Sequence, residues 1–169
     1  MTAAKFDDLI LCFVGLSWDR LQSGQMSSVP IATVLGGEKV LRRRPRNSAQ
    51  WHSMISSGVP VRAVDALQAN FPISDDQLAA WLGISPRDLA RLRKENATLP
   101  SPTSDRLFRV ARVLAVAQEV LESAAHVLTW MSRPQRGLGH KIPNDLLTTS
   151  VGGEDVERLL HQIDSGVYV

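Results

Sequence analysis

The chain has 169 residues, 44% of them hydrophobic and 21% charged, which are the proportions of an ordinary soluble globular protein. Cys12 is the single cysteine, which excludes an internal disulfide and a cysteine-based metal site and fits a cytoplasmic protein. No apolar run approaches the ~20 residues of a membrane span, and the net charge of +2 hides a marked asymmetry along the chain.

Residues 42–62 carry five arginines (Arg42, Arg43, Arg44, Arg46, Arg62) and no acid. Residues 86–112 carry seven basic and three acidic residues, and residues 137–169 two basic and five acidic ones. A basic middle and an acidic end point to two different partners.

In chain order, residues 9–16 (LILCFVGL) have the hydrophobicity of a signal-peptide core. Asp7 and Asp8 precede them and no small-x-small cleavage site follows, so they read as a short helix or extension. Residues 23–50, with a Ser/Gly-rich stretch and then the arginine run, read as a linker or arm. The arginine run is open to two readings, a phosphate-contacting arm or a disordered basic linker. From Trp51 onward the apolar spacing is helical and no alternating strand pattern occurs. One helix, interrupted near Gly58 and Pro60, is expected over 54–67. Others follow over 74–82, 85–94 and 101–130, the last with a break near Ser123. A final pair is expected at 143–148 and 154–164, separated by a Gly152-Gly153 turn. The fold class is all-α.

Residues 74–94 (SDDQLAAWLGISPRDLARLRK) carry the sharpest local signal. Ser74 with Gln77 forms a capping box. Gly83 takes the left-handed conformation that ends a helix. Ser85 caps the next helix, with Pro86 at its first position and Asp88 closing a second box, and Ile84 is placed to staple onto Leu89. Helix, three-residue turn and helix make a helix-turn-helix. Such a motif either serves as scaffold or reads DNA, with the second helix in the major groove. In the DNA reading, Ser85, Arg87, Arg91, Arg93 and Lys94 contact bases or phosphates.

In the last helix Val156, Leu159, Leu160 and Ile163 form one apolar stripe, and Glu154, Asp155 and Glu157 sit in its expected first turn. Gly166 stops it, and Val167, Tyr168 and Val169 follow. An apolar end is unusual, because termini normally carry polar residues. It either straps onto its own domain or enters a partner's pocket.

The ordered set of Val59 to Leu67, LGISPRDLARLRK at 82–94, SDRLFRVARVLAVA at 104–117, WMSRP at 130–134, GLG at 137–139, PNDLLTTSVGGEDVERLL at 143–160 and IDSGV at 163–167 resembles the Xre-type antitoxins of RES–Xre toxin–antitoxin systems (the MbcA/ParS/Xre antitoxin family). The match spans about residues 51–169. The chain departs from the family pattern at His140, where another glycine is common, and at Gln135, where asparagine is usual. It also lacks a break glycine near Ser123, and Leu92 interrupts the basic pattern around Arg91–Lys94.

Residues 1–50, largely outside the resemblance, read as an N-terminal extension and basic linker; the resemblance implies a helix-turn-helix domain (51–117) and a small helical C-terminal toxin-binding domain (118–169) with a short extended tail. It implies a RES-domain toxin acting on NAD+ as partner, encoded beside this chain and blocked by the antitoxin's C-terminal end; the apolar tail and local charge of this chain then point to Leu159, Ile163, Gly166, Val167, Tyr168 and Val169 as the contacts. It further implies binding to operator DNA with repression of its own operon; a homodimer within the toxin–antitoxin assembly is expected because helix-turn-helix proteins read paired half-sites and the helix at 101–130 has apolar surface for an interface. No catalytic set is expected, and no cofactor. His52, His126, His140 and His161 are scattered without metal-ligand spacing. The glycines at 137–139 lack the strand and GK[ST] ending of a phosphate loop. Trp51, Trp81 and Trp130 are expected in the core or an interface. The alternative is a stand-alone helix-turn-helix regulator whose C-terminal helices only dimerise.

Overall fold

The structure is a computed structural model and describes residues 28–166. Within them the chain forms ten α-helices: α1 (Ser28–Val34), α2 (Gly37–Leu41), α3 (Ser48–Ser57), α4 (Arg62–Asn70), α5 (Asp75–Leu82), α6 (Pro86–Lys94), α7 (Ser101–Leu121), α8 (Ala124–Met131), α9 (Pro143–Leu146) and α10 (Ser150–Asp164). A 3-10 turn, Arg136–Leu138, lies between α8 and α9. No strand occurs among the described residues, and the only sheet-like pairings there are two isolated bridges, Pro60 with Thr98 and Gln135 with Lys141. The all-α expectation holds.

Helix α7 is the axle of the fold. Its 21 residues span about 31 Å. Leu107, Val110, Ala111, Val113, Leu114 and Ala117 on it are all essentially inaccessible to solvent. Helices α1, α3, α5, α8 and α10 all pack on it, α10 most extensively. Apolar residues on so many sides of one helix mean burial all round, and each large side chain taken out of water contributes roughly 1.5–3 kcal/mol. Trp51 of α3 meets Phe108 of α7 with ring centroids 4.8 Å apart. The Trp81 indole N–H donates to the Asn144 carbonyl at 2.9 Å, tying α5 to the C-terminal helices. The expected division at residue 117 falls inside α7, and residues on both sides of it share one core.

The long helix expected over 101–130 is interrupted where expected. Glu122 adopts a left-handed φ of 63°. The Ser123 side chain then caps α8 by accepting from the His126 N–H. Two helices replace the single interrupted one expected over 54–67, because Gly58 to Val61 pair with the loop at 97–99. Val61 N–H donates to Ala97 O at 3.0 Å, and Leu99 N–H to Val59 O at 2.9 Å. Ser104 is completely buried and completes this clamp. Its hydroxyl accepts from Val59 N–H at 2.9 Å and donates to Leu99 O at 3.2 Å.

The linker expected over 23–50 is corrected in the described part. Residues 28–41 form α1 and α2, and Ile31, Val34, Leu35 and Leu41 lie in the core. The Asn70 side-chain amide donates to Val34 O at 3.1 Å, holding α1 against the end of α4. Ile31, Val34 and Leu35 stand at i, i+3 and i+4, a helical stripe overshadowed by the flanking Ser and Gly residues. The helix considered for 9–16 lies outside the described residues.

The Gly152-Gly153 turn is corrected as well. Both glycines lie inside α10, which begins at Ser150 with Thr149 as its cap, the hydroxyl accepting from Gly152 N–H at 3.1 Å. Glu154, Asp155 and Glu157 are therefore beyond its first turn. Gly152 is buried because α9 crosses it closely, and a methyl there would run into the Leu146 carbonyl oxygen, whereas a methyl at Gly153 meets nothing within 4 Å. Gly152→Ala is therefore expected to destabilise the fold by about 1–3 kcal/mol through overpacking. Gly153→Ala should stabilise it by about 0.5–1 kcal/mol through helix propensity. Urea unfolding of the two variants should show midpoints moving in opposite directions.

Candidate functional site

Helices α5 and α6 form the helix-turn-helix, and the caps expected from the sequence at Ser74, Gly83 and Ser85 are present. The Ser74 hydroxyl accepts from Gln77 N–H at 3.2 Å. Gly83 has φ 65° and donates to Ala80 O, while Ile84 N–H reaches Ala79 O at 3.1 Å. This is the paired-carbonyl arrangement that closes a helix on a left-handed residue. The Ser85 hydroxyl accepts from Asp88 N–H at 3.0 Å and donates to the Asp88 carboxylate at 2.6 Å. That hydroxyl chiefly holds the Asp88 carboxyl below its usual range, with the Arg91 charge adding to it. Ser85 is thus committed to capping α6.

Leu89 and Leu92 bury one face of α6. Arg87, Arg91 and Lys94 lie exposed at i, i+4 and i+7 on the other. Arg91 makes only exposed ion pairs with Glu95 (3.1 Å) and Asp88 (3.8 Å). Such pairs contribute at most about 1 kcal/mol and are easily exchanged for a phosphate.

Arg93 behaves differently. It turns back onto α4 and α5, donating to Asp65 at 2.7 Å, Asp75 at 2.8 Å and Gln68 at 2.6 Å. Its side chain is only 23% exposed. Burial opposes its charge, but the two carboxylates outweigh burial and its pKa is raised. The base-reading role expected of Arg93 thus meets a guanidinium whose donors are already engaged in bracing the motif. Two further arginines were not singled out by the motif. Arg106 of α7 lies over the turn, its guanidinium donating to Leu82 O at 3.2 Å just where a side chain at Gly83 would stand. Arg62 donates to the Asn96 side chain at 2.9 Å, just beyond α6. Both depend on partners distant in sequence, so spacing could not reveal them.

At the other end, α10 buries Val156 and Leu160 completely and Leu159 to 8% exposure. Leu159 packs on Gly137 so closely that a Cβ there would lie 2.5 Å from its Cδ1. Leu159, expected as a partner contact, thus lies mostly within the core of this chain, and Ile163 is half-buried against the same core. Glu157 is held by Arg112 of α7 at 2.7 Å, with both side chains mostly buried. The outward stripe of α10 is Val151, Glu154, Arg158 and His161. Val151, 68% exposed, is the one large hydrophobic residue so placed among the described residues. Gly166 ends this helix exposed, with φ 70°. Val167, Tyr168 and Val169 lie outside the described residues.

Among the described residues no group of three or more His, Cys, Asp or Glu side chains could hold a metal ion, and no helix there is long and apolar enough to cross a membrane. Trp51 and Trp81 are buried in the core and Trp130 is half-buried.

Comparison with known proteins accounts for both ends. Residues 50–112 match the antitoxin Xre-like helix-turn-helix domain. Residues 116–166 match the antitoxin Xre/MbcA/ParS C-terminal toxin-binding domain. A protein of Yersinia enterocolitica named Antitoxin Xre is 30% identical over 115 residues, covering 68% of this chain and 78% of its own length. The chain belongs to the Xre antitoxin family. Proteins of the same name from Photorhabdus laumondii and Pseudomonas putida are 28% and 34% identical, over 69% and 56% of this chain and 79% and 57% of theirs. The two matched regions of this type II antitoxin meet within α7, between residues 112 and 116.

Two departures from the family pattern fall where the backbone is left-handed. His140 has φ 62° directly after Gly139 at 61°, and Glu122 has φ 63° at the break lacking a glycine. A side chain in this region is strained by roughly 1–3 kcal/mol, partly offset in glycine by its greater unfolded-state entropy. His140→Gly and Glu122→Gly should each raise stability by up to about 1 kcal/mol, read as an increase in the urea midpoint at unchanged slope.

The Arg93 cluster gives a second, pH-dependent expectation. The Arg93 hydrogen bond, followed by that from Gln68, holds the Asp75 carboxyl below its ordinary 3.8. A depressed carboxyl contributes stability that is complete above its unfolded value and is lost as pH falls through the folded one. Arg93→Ala should cost about 1–2 kcal/mol at neutral pH, a modest figure because Asp65 and Asp75 are half-exposed and screened. The variant should also lose less further stability than the parent below pH 3.8. Arg87→Ala should leave thermal stability unchanged.

Proposed function

We propose that this antitoxin binds and blocks a RES-domain toxin acting on NAD+, encoded beside it, and represses its own operon through α5–α6. One observation carries the reading: a basic helix-turn-helix and a region matching the toxin-binding family share one core through α7. The role is inhibitory and regulatory rather than enzymatic, and its setting is the cytoplasm.

On the DNA side, Arg87, Arg91 and Lys94 are the contacting residues, with Ser85 positioning the start of α6 and Arg93 bracing it. A homodimer accompanies this role, since helix-turn-helix proteins read paired half-sites. The apolar faces of α7 are used within its own core, so the half-buried Val116, Val120 and Leu128 are the better-supported contributors to such a contact.

On the toxin side, the outward stripe of α10 with Val151, then Ile163 and Gly166, leads to Val167, Tyr168 and Val169. These last three enter the toxin's pocket. A site that holds the pyrophosphate of NAD+ requires positive charge, and the exposed Glu154 and Asp164 steer the antitoxin towards it.

Co-expression of the full chain with the neighbouring reading frame should yield a co-purifying complex and normal cellular NAD+. A chain stopped after Gly166 should still co-purify while NAD+ falls. Equal protection by the shortened chain would remove the pocket-filling role of the tail, and absence of any complex would remove the toxin partner altogether.

A further inference from the structure

We propose that Arg42, Arg43 and Arg44 form a second phosphate-binding site, a groove that grips the nucleic-acid backbone beside the helix-turn-helix; this rests on the DNA-binding role proposed above. The groove has a volume of about 480 Å³ and runs between the α2–α3 loop, α3 and the clamp at Pro60 and Thr98. The three arginines line it together with the hydroxyl-bearing Ser53, Ser57 and Thr98, and no acidic residue does. None of the three forms an ion pair with a described residue.

The run is held in place. Arg42 closes α2 with φ 58°, its N–H donating to Glu38 O at 2.9 Å. Pro45 is buried. Arg46 N–H donates to the Gln50 side chain at 2.7 Å, and Asn47 caps α3 by accepting from Gln50 N–H at 2.9 Å. Three arginines lining one groove with no acid beside them favour an anionic occupant. Arginine's planar fork suits phosphate oxygens in particular.

The position favours a polyanion that also meets α6. The wall at Thr98 is four residues beyond Lys94, the last residue of α6, and bridges to Pro60. Between them, Arg62 holds the Asn96 side chain at 2.9 Å and Val61 N–H bonds Ala97 O at 3.0 Å. One wall of the groove is thus tied to the loop that leaves α6. With three arginines and no acid in its lining, the groove suits the same kind of anionic partner as the basic stripe Arg87–Arg91–Lys94. The arginines precede residue 50, where the family match begins, so the site lies outside the matched motif.

Phosphate contacts add affinity and salt dependence but no sequence preference. The test uses the full chain and a triple variant, Arg42→Asn, Arg43→Gln and Arg44→Gln, asparagine being chosen because it tolerates the left-handed backbone. Binding is measured by fluorescence anisotropy, across a salt series, to a duplex from upstream of its own reading frame and to a scrambled duplex of equal length. The variant should lose roughly ten- to a hundredfold affinity for both duplexes, with the log–log salt slope shallower by about 2–3. Its preference between duplexes and its thermal midpoint should stay as in the parent. Arg87→Ala should instead reduce the preference. Parental affinity and slope in the triple variant, with Arg87→Ala still impaired, would overturn the groove and leave the helix-turn-helix reading intact. Failure of the parent to bind either duplex would overturn both.

Discussion

Everything in this fold depends on burying α7. A helix with Leu107, Val110, Ala111, Val113, Leu114 and Ala117 all out of solvent is not stable alone in water. It exists because α1, α3 and α5 cover it from the helix-turn-helix side and α8 and α10 from the other. The two matched regions are therefore not beads on a linker. The boundary between them falls within a continuous helix, and the Arg112–Glu157 pair at 2.7 Å spans it. Losing one partner of that mostly buried pair would strand a charge at the junction.

The parts legible in the sequence are those whose causes are local. Ser74, Gly83, Ser85 and Pro86 specify the ends of α5 and α6 by capping chemistry that involves only near neighbours, and those ends were placed within a residue of where they lie. The features that are not legible have a different cause. Gly152-Gly153 reads as a turn because two glycines favour one, yet Gly152 is needed for the room it leaves to the Leu146 carbonyl. Nothing in the local pattern distinguishes those two uses of glycine. Amphipathic spacing alone does not say what Leu159 and Arg93 meet. Which partner takes each side chain, Gly137 for one and Asp65 with Asp75 for the other, is settled by packing across long sequence separations.

The departures from the family pattern have the same physical explanation. At Glu122 and His140 the backbone adopts a conformation suited to glycine, so the pattern's preference for glycine is a statement about φ. The chain retains the turn geometry with side chains that strain it, which tertiary packing can sustain because each turn is braced. His140 N–H and Lys141 N–H bond back to Gln135 O and Leu138 O, and Ser123 caps the helix that follows Glu122. Gln135, the other departure, places its side-chain amide on Trp130 O at 2.9 Å and Arg133 O at 3.1 Å. It thereby satisfies carbonyls at the end of α8.

Rigidity at α7 also constrains how the two proposed activities could influence one another. Coupling between sites requires two states that each ligand distinguishes. The only break along α7 and α8 lies at Glu122–Ser123, past the junction, and the helix-turn-helix is pinned to the C-terminal helices through Trp81 and Asn144. Among the described residues, a hinge that re-aims α6 when a partner engages α10 would have to act across this shared core. Assembly provides the remaining route. A partner that gathers two antitoxins raises the effective concentration of the second helix-turn-helix near the first, strengthening DNA binding without a conformational change. Each copy then contributes a fixed basic stripe on α6, so the geometry of the assembly, more than any motion within the chain, sets the spacing of the half-sites it can occupy.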